Sequence, residues 1–174
     1  MIIKEILGNI SSISLDGLEL DPLELEWFET SKRIQSKLTC AGTEISIKFF
    51  KASQRLSQGD ILFKDTEKAI VVNIKACEAI VITPISMLEM GTVCYEIGNK
   101  HVPIFIQNDQ IMIPFEEPLL RWLDASGYRP VKEMRQLKSM LKSTDASHGH
   151  AHAHDHETLF TKITNLASKY SHEK

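Results

Sequence analysis

Residues 79–131 read AIVITPISMLEMGTVCYEIGNKHVPIFIQNDQIMIPFEEPLLRWLDASGYRPV, and the punctuation of this stretch decides the fold. Residues 79–83 are a β-branched run of strand type. Pro84 suits the first turn of a helix. Beyond it Met87, Met90, Cys94 and Ile97 recur at helical spacing, with Ile85, Leu88 and Tyr95 in a neighbouring row, so this helix is expected to bury a wide face. Gly98-Asn99 is a stop, because both residues tolerate the left-handed conformation that ends helices. Residues 102–106 and 110–115 flank Asn108-Asp109 as a hairpin. Pro118 opens a short amphipathic helix ended by Gly127, and residues 128–131 lead into a last strand that Pro130 keeps at the sheet edge. The order β-α-β-β-α-β is the ferredoxin-like arrangement.

Upstream, the pattern is all β. Residues 1–7 are a short apolar strand ended by Gly8-Asn9. Residues 23–30 alternate apolar and acidic side chains, the period of a half-buried strand, with Trp27 and Phe28 as core or partner-facing aromatics. Residues 35–40 and 44–50 flank Ala41-Gly42-Thr43 as a hairpin. Residues 57–60 turn into Ile61-Leu62-Phe63, and residues 69–74 are a β-branched run. Six short strands with polar turns predict a compact barrel or sandwich. The fold class is therefore α+β: a small all-β domain (1–74), a ferredoxin-like β-α-β-β-α-β domain (75–138), and a flexible His-rich C-terminal tail (139–174).

Composition narrows the function classes. The chain has 174 residues, 43% hydrophobic and 25% charged, enough to bury a core without covalent staples. A net charge of −3 with no basic, aromatic-interleaved stripe argues against a nucleic-acid partner. No apolar run reaches the length of a membrane span, and the first residues lack the basic and long apolar regions of a signal peptide. Cys40, Cys77 and Cys94 are odd in number and widely spaced, which suits small buried hydrophobes in a reducing cytoplasm better than a disulfide framework.

The chemistry lies in the histidines. Six of the seven are near the C-terminus: His148, His150, His152, His154 and His156 alternate with Gly, Ala and Asp, and His172 follows. An expression tag is usually an unbroken block at a chain end, whereas eighteen residues follow this run. Neutral imidazole is well populated near pH 7 and suits borderline divalent metals, nickel, zinc and copper(II) alike. Period two offers chelating pairs whether the run is extended or helical, since His148/His152 and His152/His156 are then spaced i, i+4. His101 stands alone between the helix stop and the next strand. One imidazole cannot make a tight site, but a two-fold homodimer repeats it, and tail imidazoles would complete four to six ligands.

Catalytic templates are missing. Neither H-E-x-x-H, nor G-x-S-x-G, nor a phosphate-cradling G-x-x-x-x-G-K-[ST] occurs. The acidic pairs Glu24/Glu26 and Glu116/Glu117 read as a solvated strand face and a helix start. The chain is expected not to be an enzyme.

Three segments carry a resemblance: residues 25–30 (LEWFET), residues 56–63 (LSQGDILF) and above all residues 94–104 (CYEIGNKHVPI). Together with a His-bearing tail, they are similar to the UreE family of urease accessory proteins, the nickel metallochaperones, in its Helicobacter-type members. The likeness runs from Met1 to about Met140. It implies a β domain likened to peptide-binding chaperone domains and a ferredoxin-like domain that forms the homodimer. It further implies that His101 of each protomer holds Ni2+ at the dimer interface, completed by tail histidines. Delivery would then pass to the urease accessory GTPase and the urease apoprotein complex. The auxiliary His-x-His pair of some members is replaced here by residues 114–117 (PFEE) and does not carry over. Other readings stand beside this one: a metal storage or sequestration protein with no recipient, a metal-dependent hydrolase, or a β interaction module with an incidental tail.

Overall fold

A computed structural model describes residues 1–50, 54–138, 140 and 141. Seven strands build the N-terminal part: Ile2–Ile3 (β1), Gly8–Asn9 (β2), Glu19–Leu25 (β3), Ile34–Leu38 (β4), Glu44–Lys48 (β5), Asp60–Lys64 (β6) and Lys68–Ile74 (β7). They form a three-stranded sheet in the order β1-β5-β4 and a four-stranded sheet in the order β2-β6-β7-β3. Ile45 and Ile47 from the first sheet meet Leu23, Leu25, Ile70, Val72 and Ile74 from the second in one core, so the arrangement is a sandwich. Burying each such side chain stabilises the fold by about 1.5–3 kcal/mol.

Two expected strands are shorter than their patterns. Residues 1–7 do not run as one strand: β1 pairs with β5 in one sheet, β2 pairs with β6 in the other, and the chain crosses between them. Alternation over residues 23–30 also misleads. The strand ends at Leu25, and Trp27–Ser31 is a 3₁₀ turn. Glu29 causes the break. Its carboxylate accepts the Glu26 N–H at 3.1 Å, and Thr30 Oγ1 donates to the Trp27 carbonyl at 2.7 Å. These local bonds outcompete the ladder.

The second part contains Ala76–Ile82 (β8), Met87–Gly98 (α1), Phe105–Gln107 (β9), Gln110–Pro114 (β10), Glu117–Ala125 (α2) and Val131–Gln136 (β11). Its antiparallel sheet has the order β11-β8-β10-β9, the ferredoxin-like topology that the element order predicts. Both central residues of the β9–β10 turn, Asn108 and Asp109, have positive φ (49° and 60°), the hairpin geometry that Asn and Asp tolerate. Alternate residues of β8 face opposite ways. Ile80 and Ile82 join Val93, Ile97 and Leu123 under the helices, whereas Ala79 and Val81 join Phe105, Met112 and Leu137 on the other face. Trp27 packs against that second face, its ring edge-on to Phe105 at 5.6 Å.

The first helix differs from its reading in two respects. It starts at Met87, not at Pro84, because Ser86 is the cap: its Oγ accepts the Glu89 N–H at 3.1 Å, and Glu89 accepts the Ile85 N–H at 2.6 Å. It also buries a narrow face. Only Val93 and Ile97 are fully covered, while Ile85, Met87, Leu88 and Tyr95 are 77%, 88%, 81% and 71% exposed. No described helix is long and apolar enough to cross a membrane. Of the expected tail, 139–174, only Met140 and Leu141 are described, and Leu141 N–H bonds the Ile104 carbonyl at 2.7 Å; His148, His150, His152, His154 and His156 lie outside the described residues.

Glu29 yields a test of the sandwich. It is buried, and Lys37 from β4 pairs with it at 2.6 Å. Burial works to raise its carboxyl pKa, but the Lys37 ammonium, the Glu26 N–H and the nearby Lys32 outweigh burial and bring it below the ordinary value. A carboxylate depressed in the folded state adds stability above its unfolded pKa, and that stability is lost as pH falls through the folded value. Between about pH 5 and 3, urea melts of the wild type should lose stability more steeply than those of Glu29→Gln. Parallel decline would mean that the ion pair adds nothing.

Candidate metal centre

His101 owes its position to the way α1 ends. Asn99 N–H bonds back to the Tyr95 carbonyl at 3.0 Å, Lys100 N–H to that of Ile97 at 3.0 Å, and His101 N–H to that of Gly98 at 2.9 Å. The helix thus tightens through its last turn before the chain reverses. The expected left-handed residues, Gly98 and Asn99, do not make the reversal. Asn99 stays right-handed (φ −64°), and His101 itself takes φ 58°. For a residue with a Cβ this conformation costs about 1–2 kcal/mol. The next residues, Val102 and Pro103, extend the chain away, since a residue before proline is held from the helical region. The result is a solvent-exposed imidazole on a strained turn whose backbone is tied to α1.

One side chain of this turn has an aromatic partner. The Lys100 ammonium lies 4.3 Å from the centre of the Trp122 ring on α2, and Trp122 packs on the core beneath the helices. Arg129, also at positive φ (51°), forks onto the Glu89 carboxylate at 3.1 and 3.4 Å and so ties the α2–β11 loop to the start of α1. Sequence spacing carried no signal for the Lys100–Trp122 contact, which joins residues 22 positions apart on different elements.

Among the described residues no three His, Cys, Asp or Glu side chains converge on a metal-sized space. The cysteines offer little as soft donors. Burial pushes the Cys94 thiol up, and burial together with Glu26 pushes up that of Cys77, so both hold their protons. Cys40, expected as a buried hydrophobe, is instead exposed beside the β4–β5 turn, where its N–H bonds the Pro22 carbonyl at 2.9 Å. A cleft of about 570 Å³ opens elsewhere, between the Trp27 turn, residues 54–58 and the end of β11. Among the described residues its lining includes Arg55, Phe105 and Lys138 but no carboxylate, imidazole or thiol. The six tail histidines lie outside the described residues.

The exposed row of α1 complements the exposed imidazole. Leu88, Thr92 and Tyr95 recur at i, i+4 and i+7 on one side, Gly91 lies among them, and Met87 and Ile85 adjoin them at the helix start. A Cβ on Gly91 would meet nothing within 4 Å, so that face is open to the close approach of another surface.

The chain matches known proteins over most of its length. The model of the UreE urease accessory protein N-terminal domain matches residues 3–75, and that of the C-terminal domain matches residues 77–162. The urease accessory protein UreE of Flavobacterium johnsoniae is 50% identical over 167 residues, covering 96% of this chain and 99% of that protein. Its counterpart in Acetivibrio thermocellus is 40% identical over 81% of this chain and 92% of that one. That of Helicobacter pylori is 38% identical over 83% of this chain and 85% of that one. With both domain models in register along a sandwich followed by a ferredoxin-like sheet, the chain belongs to the UreE family of urease accessory proteins.

Proposed function

We propose that this protein is a cytoplasmic nickel metallochaperone for urease maturation. It carries Ni2+ on histidines and passes it to the urease accessory GTPase and the urease apoprotein complex. The observation that carries this reading is the pairing of a lone, exposed His101 on a strained turn with an uncovered apolar helix face beside it. One imidazole binds a metal weakly, and an uncovered row of Leu88, Tyr95 and Met87 is costly in water. A two-fold homodimer through α1 answers both, because a symmetric interface repeats the same patch and so brings two His101 side chains together. His148, His150, His152, His154 and His156 are the imidazoles that would complete the coordination. In this division of labour residues 1–74 act as the chaperone-like domain, 75–138 as the metal-binding and dimerising domain, and 139–174 as the ligand-bearing tail. Neither nucleic acid nor membrane takes part.

Nickel is the cargo here, and the protein has to release it. Imidazole is a neutral ligand that exchanges by losing one Ni–N bond at a time, so a partner can take the ion stepwise. Zinc and copper(II) suit the same donors, and copper(II) binds tightest by intrinsic order. Selectivity therefore rests on the partner and on metal supply.

The recipient separates this reading from metal storage. Nickel-loaded protein mixed with the accessory GTPase and apo-urease should form a complex on a pull-down and activate urease faster than the same amount of free nickel. Nickel retention with neither complex nor activation would mean sequestration instead.

Two classes of site follow from one embedded histidine and a run of five. Calorimetry should find more nickel bound per dimer to the full chain than to a chain ending at Lys142, which should keep at most one ion. Equal stoichiometries would remove the tail from the site.

His101→Ala should leave the dimer intact by light scattering but weaken the tightest phase at least tenfold, since loss of a direct ligand exceeds the roughly 10–100-fold range of outer-shell changes at its lower end. His150→Ala should cost much less, because neighbouring imidazoles substitute for it. A larger loss from His150→Ala would make the tail the primary site.

A further inference from the structure

Lys100 immediately precedes His101, so its ammonium can reach the space in front of the imidazole unless something holds it elsewhere. The ring of Trp122 does hold it, with the ammonium 4.3 Å from the ring centre. Among the described residues, none of the ion pairs includes Lys100, so no described carboxylate neutralises the seated charge. Lys132 gives a contrast: it also stacks on an aromatic ring, Phe115 at 4.0 Å, but pairs with Glu78 at 2.7 Å as well. A ring face attracts a cation through its quadrupole and leaves the net charge unchanged. For Lys100 the consequence is therefore one of location.

Location matters beside a dication. A single and a double positive charge about 8 Å apart in water repel enough to change an affinity on the order of fivefold. We propose that Trp122 is a positioning residue for the metal site: it seats the Lys100 ammonium on its ring and keeps that charge off the ion carried by His101. This rests on the reading of His101 as a nickel ligand. The seat also adds a tether to the strained turn, since it joins the residue before His101 to α2, whereas the backbone bonds join the turn only to α1.

The test is a double-mutant cycle on the full chain, with inorganic nickel as the probe and folding followed by far-ultraviolet circular dichroism. Trp122→Leu should weaken the tightest nickel phase by about fivefold at low salt, and by much less in 1 M salt, where the Debye length is about 3 Å. Trp122→Phe, which keeps a smaller ring face, should show a smaller loss. It is also the variant to use if Trp122→Leu does not fold. Lys100→Met alone should not weaken binding, and adding it to either Trp122 variant should restore the wild-type affinity. In metal-free protein the Lys100 ε-methylene protons should be shifted upfield by the ring in NMR spectra, and the shift should vanish in Trp122→Leu.

A loss that Lys100→Met does not restore would make Trp122 a packing residue and overturn the proposal. An unchanged affinity in Trp122→Leu, or a Lys100 signal without a ring shift in the wild type, would overturn it too. Unchanged affinity in His101→Ala would overturn both this proposal and the ligand reading beneath it. A normal His101→Ala loss with an unrescued Trp122→Leu loss would overturn the seat alone.

Discussion

Much of this molecule depends on one strand that is buried on both faces. Along β8, Ala79, Ile80, Val81 and Ile82 are all 0–1% exposed, because the even positions lie under α1 and α2 while the odd positions lie under Trp27 and Phe105. A strand of this kind has no polar face, so a one-residue slip exchanges its two apolar sets without exposing either. The register is held instead by its neighbours, β10 and β11, which bracket it in antiparallel ladders. Gln136 at the end of β11 then donates to the Ile74 carbonyl at 2.8 Å, and Gln107 donates to the Gln136 carbonyl at 3.0 Å. The sandwich and the second sheet are thus tied by side-chain bonds where β7 passes into β8.

The buried strand also determines what the helices leave over. Val93 and Ile97 satisfy its helical face from α1, and Leu123 does so from α2. Met90 and Cys94 from α1 and Leu119, Leu120 and Trp122 from α2 pack around them. The remaining apolar row of α1 is therefore outside the monomer's core, and the imidazole lies at the end of the same helix. Apolar side chains without a role in the monomer fold and a single imidazole lie on one surface, and the proposed second copy would answer both.

Legibility in the sequence follows the locality of each cause. The ferredoxin-like order was readable because its signals are local: the β-branched run in residues 79–83, Asn108-Asp109 at the hairpin, Pro118 and Gly127 around α2. The 3₁₀ turn at Trp27 was missed because apolar-acidic alternation fits a strand, and only Lys37, on a later strand, reveals why Glu29 is turned inward. The exposure of Leu88 and Tyr95 was missed for a different reason. Helical spacing reports that a face is apolar but not which body covers it. His101 was singled out as a residue, yet its positive φ was assigned to Gly98-Asn99, since propensity favours those residues and the turn bonds that override it are set by the end of the helix. The Lys100–Trp122 contact joins two elements and has no period at all.

The proposed carrier role would also account for the positive φ falling on the histidine itself. A glycine at position 101 would take φ 58° at no steric cost, but it would have no imidazole, and a histidine moved to position 99 would sit within the last helical turn. Combining reversal and ligand in one residue puts the side chain at the point where the chain leaves the helix, with its Cα fixed by the Gly98 carbonyl on one side and Pro103 two residues on. A site that had to hold its metal permanently would gain by gathering three or four ligands on rigid elements of one protomer. On the proposed reading the rigid elements would supply one, and the further donors would come from a second copy and from the C-terminal histidines. A ligand set so assembled would consist of separable parts, and each could be withdrawn without unfolding the sheet on which His101 depends, as the proposed release to a recipient would require.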